Sequence, residues 1–274
     1  MKLRLLTAAV AIPILLFSVW WSQPYLFDAI ALVAIVAAIS EFYFIAERAG
    51  APPFAWVGYP AAVALVAVPV VARPEVNSVV LAAAGVAVMI ATLARVEDKA
   101  RILVSAGATL LGLVYIAFLG SYLVAIRALS PPDLPGKLLT LFMAVIMMSD
   151  TGAYFAGRTL GRHKLAPRVS PAKTVEGSVG GLVASVLAAV ASKYIFFPEL
   201  PIPDAVALGA GMGALGQVGD LCESLLKRGS DVKDAASILP GHGGFLDRLD
   251  SMLLNAPAFY YYVVYVLAPR LTTP

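Results

Sequence analysis

The sequence predicts an all-α, polytopic integral membrane protein with about nine transmembrane helices. Of its 274 residues, 60% are hydrophobic and only 14% are charged, and the mean hydropathy is +0.86. A soluble domain carries roughly 25% charged residues, so this composition excludes an ordinary soluble enzyme. Apolar runs that are each long enough to cross a bilayer as a helix occur near residues 4–21, 26–46, 54–73, 77–95, 102–127, 138–157, 175–197, 203–226 and 245–268.

Cysteine and histidine are too scarce for disulfide or zinc chemistry. The one cysteine, Cys222, excludes an internal disulfide and a multi-cysteine metal site. With only two histidines, His163 and His242, we do not expect a zinc centre. The first apolar run ends in SVWWSQP without a small-residue cleavage site, so we expect a retained helix and not a signal peptide.

Lysine and arginine are distributed unevenly between the two sides that nine spans would define. Fifteen of the 20 basic residues fall on one side, and the positive-inside rule makes that side cytoplasmic. The N-terminus is therefore predicted in the cytoplasm, together with two charged loops, 158–174 and 228–244. We divide the chain into residues 1–130, expected to act as a scaffold and in dimerisation, and residues 131–274, a catalytic region that carries both loops.

The eighth predicted span carries charge where charge is costly. Asp220, Glu223, Ser224 and Lys227 are spaced i, i+3, i+4 and i+7, so they share one helical face. Carboxylate oxygens suit Mg²⁺, which commonly shares its coordination with substrate phosphates. The face therefore predicts a site for a divalent cation and a phosphate, and the alternative is an interhelical salt-bridge network.

The ninth predicted span begins at GHGGFLDRLD, where Asp247 and Asp250 are again spaced i, i+3 and Arg248 points elsewhere. The glycines Gly243 and Gly244 allow close approach to a ligand, and loop amides at a helix N-terminus can bind an anion. The alternative is a simple turn followed by acidic residues that cap the helix. Two acidic pairs that flank one loop are what a magnesium-bridged phosphate site requires.

The segment 149–177 is the second charged region. Asp150 lies in the cytoplasmic half of the sixth span, where an unpaired carboxylate would be expensive. Lys173 and Glu176 follow Ser170-Pro171, which we interpret as a helix start, and Lys173 could meet phosphate oxygens there. His163 is either an acid–base group or an incidental loop residue.

Three further features of the spans carry structural predictions. Glu41, deep in the second span, needs a partner, and we expect an arginine of the loops. Asn255 is expected to hydrogen-bond between helices. Glycine pairs at four-residue spacing predict close helix packing: Gly177/Gly181 and Gly209/Gly213.

The C-terminal half resembles the bacterial phosphatidate cytidylyltransferases, also called CDP-diacylglycerol synthases. The SDTGAY and SPAKTVEG runs look like family segments, whereas the first five helices resemble the family only in topology. The longest family signature is matched without a gap by Ser224, Leu226, Lys227, Arg228, Lys233, Asp234, His242, Gly243, Gly244, Phe245, Asp247, Arg248, Leu249 and Asp250.

The resemblance implies a reaction in which CTP and phosphatidate give CDP-diacylglycerol and pyrophosphate with Mg²⁺. It also implies Asp220 and Asp247 as metal ligands, a possible second cation, K⁺, and a homodimer. We expect a protein of the inner (cytoplasmic) membrane, and the Lys and Arg distribution predicts that the active site faces the cytoplasm. No nucleic acid partner is expected. The predicted catalytic residues are Asp220, Asp247, Lys173 and Asp150; the phosphate-binding residues are Lys173, Ser224, Lys227, Arg228, His242, Gly243, Gly244 and Arg248; the metal ligands are Asp220, Asp247, Glu223 and Asp250.

Two other functions stay open at this point. Intramembrane acids and glycine-rich helices also mark cation- or proton-coupled transporters. However, no inverted repeat is visible, and the ionisable groups crowd the predicted cytoplasmic mouth instead of the bilayer midplane. The other alternative is a transferase that acts on a different lipid phosphate. The sequence separates such acceptors poorly, because the apolar residues that contact their lipid tails look alike.

Overall fold

A computed structural model of the chain describes residues 13–21, 23, 25–71, 76–93, 99–131, 133–229 and 244–272. This part of the chain is almost entirely helical, so the all-α class is confirmed. Residues 13–20 form a helical segment, and the rest of the first predicted span, residues 4–12, lies outside the described residues. The elements are α1 (Tyr25–Arg48), α2 (Ala55–Val71), α3 (Asn77–Leu93), α4 (Lys99–Arg127), α5 (Leu134–Leu160), β1 (Lys164–Ala166), β2 (Ser170–Thr174), α6 (Val175–Ile195), α7 (Ile202–Arg228) and α8 (Leu246–Leu271).

Every predicted span from the second to the ninth corresponds to one helix of the described chain. Six of these helices, α1 and α4 to α8, are long and apolar enough to cross a membrane, and α2 and α3 are shorter apolar helices. Both α4 and α8 contain a π-helical segment, at Leu113–Phe118 and Val263–Leu267. The architecture is therefore that of a multi-pass membrane protein, whereas the count of nine spans and the orientation remain predictions.

The chain folds into two compact units, each of which is described by itself. The first comprises residues 1–129 and 226–249, and the second comprises residues 130–225 and 250–274. Both α7 and α8 are shared between the units. Residues 226–249, which the sequence analysis placed in the catalytic region, thus belong to the unit of the N-terminal helices.

Hydrogen bonds from buried polar groups connect the helices of the first unit. The Tyr43 hydroxyl donates to the Thr109 carbonyl at 3.2 Å, and the Phe54 N–H donates to the Thr109 hydroxyl at 2.8 Å. Asn77 Nδ2 donates to Ser121 Oγ at 2.8 Å. Buried polar groups need hydrogen-bond partners. Here those partners lie on α4, so the bonds tie α1, α3 and the residue before α2 to α4.

The second unit is held together by small residues. A Cβ atom at Gly177 or Gly181 would lie 2.9 Å from a backbone oxygen of α5, and one at Gly209 would lie 2.6 Å from the Cα atom of Val186 in α6. Asn255 Nδ2 donates to the Met212 carbonyl of α7 at 3.1 Å. The predictions of glycine-mediated packing and of an interhelical role for Asn255 are confirmed.

A two-stranded antiparallel hairpin interrupts the helices between α5 and α6. Strand β1 pairs with β2 through Lys164 opposite Thr174 and Ala166 opposite Ser170. The prediction of a helix start at Ser170-Pro171 is therefore wrong. The helix begins at Val175, because Thr174 is the N-cap and its hydroxyl accepts the Gly177 N–H at 3.1 Å.

Candidate active site

Three carboxylates of the second unit converge where α7 and α8 meet. One oxygen each from Asp220, Glu223 and Asp250 lies within 4.8 Å of the other two. Glu223 and Asp250 are buried, with 1% and 8% of their surface exposed, and Asp220 is half-buried. We call these three residues the carboxylate cluster. Like charges this close repel one another in a low-dielectric setting, so the cluster is a candidate site for a cation.

The cluster forms because Gly219 lets two helix backbones approach. A Cβ atom at Gly219 would lie 3.2 Å from the carbonyl carbon of Asp250 and 3.4 Å from the Cα atom of Ser251. Asp220 and Glu223 lie one helical turn apart on α7, so both face the same side. The glycine thus brings Asp250 of α8 to the carboxylates of α7.

Lys173 supplies a positive charge from the hairpin. Its Nζ atom lies 2.7 Å from Oδ2 of Asp220, and about a quarter of the lysine side chain is exposed. Ser224 Oγ donates to Oδ1 of the same aspartate at 3.4 Å. Asp220 therefore connects a predicted phosphate-binding lysine to the carboxylate cluster.

Glu176 anchors the hairpin that carries Lys173. Its carboxylate accepts the Arg162 N–H at 3.0 Å and the His163 N–H at 3.2 Å, and it lies 2.6 Å from His163 Nδ1. The Val175 N–H donates to the His163 carbonyl at 2.9 Å. His163, an acid–base candidate from the sequence, thus makes a contact that holds the ends of the hairpin together.

A cavity of about 410 Å³ lies within the second unit beside the hairpin. Its wall includes Asp150, Arg158, Lys173, Gln217 and Asp220. The cavity therefore offers carboxylates for a cation and basic groups for phosphate oxygens on one surface. Charge-assisted hydrogen bonds from lysine and arginine are among the strongest contacts to phosphate.

Gln217 is a cavity residue that the sequence analysis missed. Its Nε2 donates to the Ser178 carbonyl at 2.9 Å, and the Ser178 hydroxyl forms a short hydrogen bond with Gln217 Oε1. These bonds tie α7 to α6 one helical turn before Asp220. An amide side chain inside an apolar run was the signal that could have identified it.

Another set of predicted residues lies in the first unit, at the end of α7 and the start of α8. Lys227 Nζ lies 2.8 Å from Oδ1 of Asp247, and the Gly244 N–H donates to Oδ2 of Asp247 at 3.1 Å. Gly244 was predicted to bind phosphate, and its N–H is here used by a protein carboxylate. A phosphate role for Gly244 therefore requires that bond to open and stays a prediction.

The contacts of Glu41 differ from the expectation that it pairs with an arginine of the loops. Its carboxylate accepts the N–H groups of Phe245 at 2.9 Å and Leu246 at 2.8 Å, so within the described part of the chain its partners are backbone amides and not a loop arginine. Arg228 and Arg248 have exposed side chains. His242 and Gly243, both predicted to bind phosphate, lie outside the described residues.

Comparison with known proteins identifies the family. The profile of the Cytidylyltransferase family matches residues 2–266, nearly the whole chain. The chain belongs to this family. The resemblance that the C-terminal motifs suggested is therefore confirmed.

Several bacterial relatives carry the name phosphatidate cytidylyltransferase. This chain is 44% identical over 154 residues to the phosphatidate cytidylyltransferase of Bacillus subtilis, and the aligned region covers 55% of each chain. It is 40% identical over 137 residues to the Haemophilus influenzae protein of the same name, and the aligned region covers 48% of each chain. The Synechocystis protein of that name is 38% identical over 196 residues, which cover 62% of this chain and 66% of the relative. The matched region thus spans about half to two thirds of the length of these relatives.

Proposed function

We propose that this protein transfers the cytidylyl group of CTP to phosphatidate and releases CDP-diacylglycerol and pyrophosphate. The observation that carries the proposal is the convergence of Asp220, Glu223 and Asp250 beside Lys173 and a cavity, in a chain of the Cytidylyltransferase family. The names of the relatives supply the lipid substrate class, because they are phosphatidate cytidylyltransferases.

The carboxylate cluster fits Mg²⁺. Three hard oxygen donors within 4.8 Å of one another match the ligand preference of that ion. We propose Asp220, Glu223 and Asp250 as residues that hold it, and Asp247 as a further ligand from the family signature, with K⁺ as a possible second cation. A divalent cation there would neutralise phosphate charge and polarise the bonds around the α-phosphorus.

The residues of the chain have separate tasks in the proposed reaction. A phosphate oxygen of phosphatidate attacks the α-phosphorus of CTP, the new O–P bond forms, and the bond to the β-phosphate breaks as pyrophosphate leaves. Lys173, Lys227 and Arg228 hold phosphate oxygens and orient the groups in line. The attacking phosphate monoester is ionised near neutral pH, so no protein nucleophile is required.

Two lysine–aspartate pairs suit this reaction. Lys173–Asp220 and Lys227–Asp247 each join a predicted phosphate-binding ammonium to a predicted metal-binding carboxylate, at 2.7 and 2.8 Å. When substrate binds with its cation, each lysine would exchange its aspartate for a phosphate. Each aspartate would exchange its lysine for the cation. These partly buried charges then stay compensated in both states, which avoids the cost of isolating them.

The membrane arrangement is also part of the proposal. We infer nine spans, a cytoplasmic N-terminus, an active site that opens to the cytoplasm of the inner membrane, and a homodimer. The basic residues concentrated on one predicted side support this orientation. Phosphatidate would enter sideways from the leaflet while CTP arrives from the cytoplasm. No contact of the described residues favours the transporter alternative.

The direct test uses purified protein in detergent with α-labelled CTP, phosphatidate and Mg²⁺. We expect the label in a lipid-soluble liponucleotide and an equal amount of pyrophosphate. Diacylglycerol, which lacks the attacking phosphate, is the matched control and should give no labelled lipid. Absence of product with phosphatidate, together with ion flux through the protein in liposomes, would contradict the enzyme and favour the transporter.

A further inference from the structure

Glu41 lies in α1, and both of its carboxylate oxygens bind backbone amides 204 and 205 residues further along the chain. Oε1 accepts the Phe245 N–H and Oε2 accepts the Leu246 N–H, at 2.9 and 2.8 Å. Only 2% of its surface is exposed. The first N–H groups of a helix lack partners within that helix, and negative charge is favoured beside them. Glu41 thus caps α8 from a different helix.

Glu41 shares this task with Asp247. The N–H of Gly244 goes to Oδ2 of Asp247, while Oδ1 of Asp247 meets Lys227. Three successive N–H groups at the start of α8 are therefore bound by two carboxylates. Because Glu41 binds two of the three, Asp247 needs only one oxygen for the helix start and directs the other to Lys227.

Gly244 lies directly against the Glu41 carboxylate. A Cβ atom there would lie 2.7 Å from the carboxylate carbon of Glu41 and would overlap the carboxylate oxygen. The backbone of Gly244 does not have the positive φ that favours glycine, which among the described glycines occurs at Gly50. Glycine at this position therefore leaves room for the Glu41 carboxylate, which a Cβ atom would displace.

We propose that Glu41 is a positioning residue that fixes the start of α8 and, through it, the Lys227–Asp247 pair. The N-terminal helices would then set the geometry of the signature segment 244–250 in addition to forming a scaffold. The consequence for turnover rests on the proposed function, whereas the consequence for the backbone of residues 244–250 does not.

Hydrogen–deuterium exchange of the protein in nanodiscs tests this proposal without turnover. Glu41→Gln keeps the shape of the side chain and removes its charge and one acceptor. We expect the amides of 245 and 246 to exchange on the order of tenfold faster, as for the loss of a helix N-cap. Glu41→Asp should give an intermediate rate. Glu47→Gln, at an exposed position of the same helix, is the matched control and should exchange like the wild type.

Coupling between the two positions gives a second readout. Gly244→Ala should also raise exchange, because its Cβ displaces the carboxylate. The double variant Glu41→Ala/Gly244→Ala removes the clash, so its exchange should match that of Glu41→Ala alone. For turnover, we expect kcat of Glu41→Gln to fall roughly 10- to 100-fold with little change in KM for CTP.

Wild-type exchange at 245 and 246 in Glu41→Gln, or additive effects in the double variant, would overturn the proposal. Exchange decides the role of Glu41 even if the wild type makes no CDP-diacylglycerol. The positioning role and the proposed function can therefore fail separately.

Discussion

At the scale of single residues, the candidate site is defined by three carboxylates that lie within 4.8 Å of one another, two of them buried. Asp220, Glu223 and Asp250 crowd together, and Lys173 is the basic side chain paired with Asp220. A buried charge is tolerated when it is paired or binds a metal. We therefore propose that a bound cation balances the charge of this cluster.

Neutralising one predicted metal-binding carboxylate should abolish turnover and leave the fold intact. We expect Asp220→Asn and Asp247→Asn each to lower liponucleotide formation by at least about 100-fold, since each loses a predicted metal ligand. Both proteins should still insert and elute like the wild type. Asp133→Asn, an exposed position outside the site, should keep full activity. Near-normal turnover in either site variant would refute its assignment as a ligand.

At the scale of secondary-structure elements, a hairpin and one glycine determine how the site is assembled. The hairpin places Lys173 beside Asp220 because Glu176 binds the chain at Arg162 and His163. Gly219 brings the backbone of α8 against α7. Each feature can be changed without touching a residue predicted to bind metal or phosphate.

Loosening the hairpin should impair the use of CTP. Glu176→Gln weakens charge-assisted hydrogen bonds to two backbone amides and to His163, so Lys173 should be held less firmly. We expect kcat/KM for CTP to fall about tenfold. Glu199→Gln, which removes an ion pair to Lys137 away from the hairpin, is the control and should have little effect. Unchanged kinetics in Glu176→Gln would show that the hairpin does not position Lys173.

Filling the contact at Gly219 should separate the two helices. Gly219→Ala places a methyl group against the backbone of Asp250, and such overpacking costs about 1–3 kcal/mol. We expect a lower Tm together with loss of activity. Gly211→Ala is the matched control on the same helix, since a Cβ atom there meets no atom within 4 Å. Alanine there should be neutral or slightly stabilising; equal effects of the two substitutions would contradict the packing argument.

At the scale of the whole molecule, hydropathy is the feature that predicts most of the fold. Helices occupy the predicted apolar runs because backbone groups in lipid must be satisfied within the segment. The hairpin was missed because Ser170-Pro171 is typical of a helix start, whereas Thr174 provides the actual cap. The partner of Glu41 and the neighbour of Gly219 were also missed, since local patterns do not reveal which helix lies opposite.

The proposed orientation can be tested by thiol labelling in a bacterial host. In a Cys222→Ser background, His163→Cys on the hairpin side should react with an impermeant reagent only in inverted vesicles. Glu199→Cys, between α6 and α7, should react only in intact spheroplasts. The physical basis is the concentration of basic residues on one predicted side. The reverse pattern would place the site outside the cytoplasm and contradict access to CTP.

Cation binding by the carboxylate cluster is the central claim, and electron paramagnetic resonance of Mn²⁺ tests it most directly. Mn²⁺ should bind the wild-type protein in nanodiscs without nucleotide, and Asp250→Asn should weaken that binding at least about tenfold. Asp133→Asn should bind like the wild type. Equal Mn²⁺ affinity in Asp250→Asn and the wild type would contradict the claim that this cluster is the metal site.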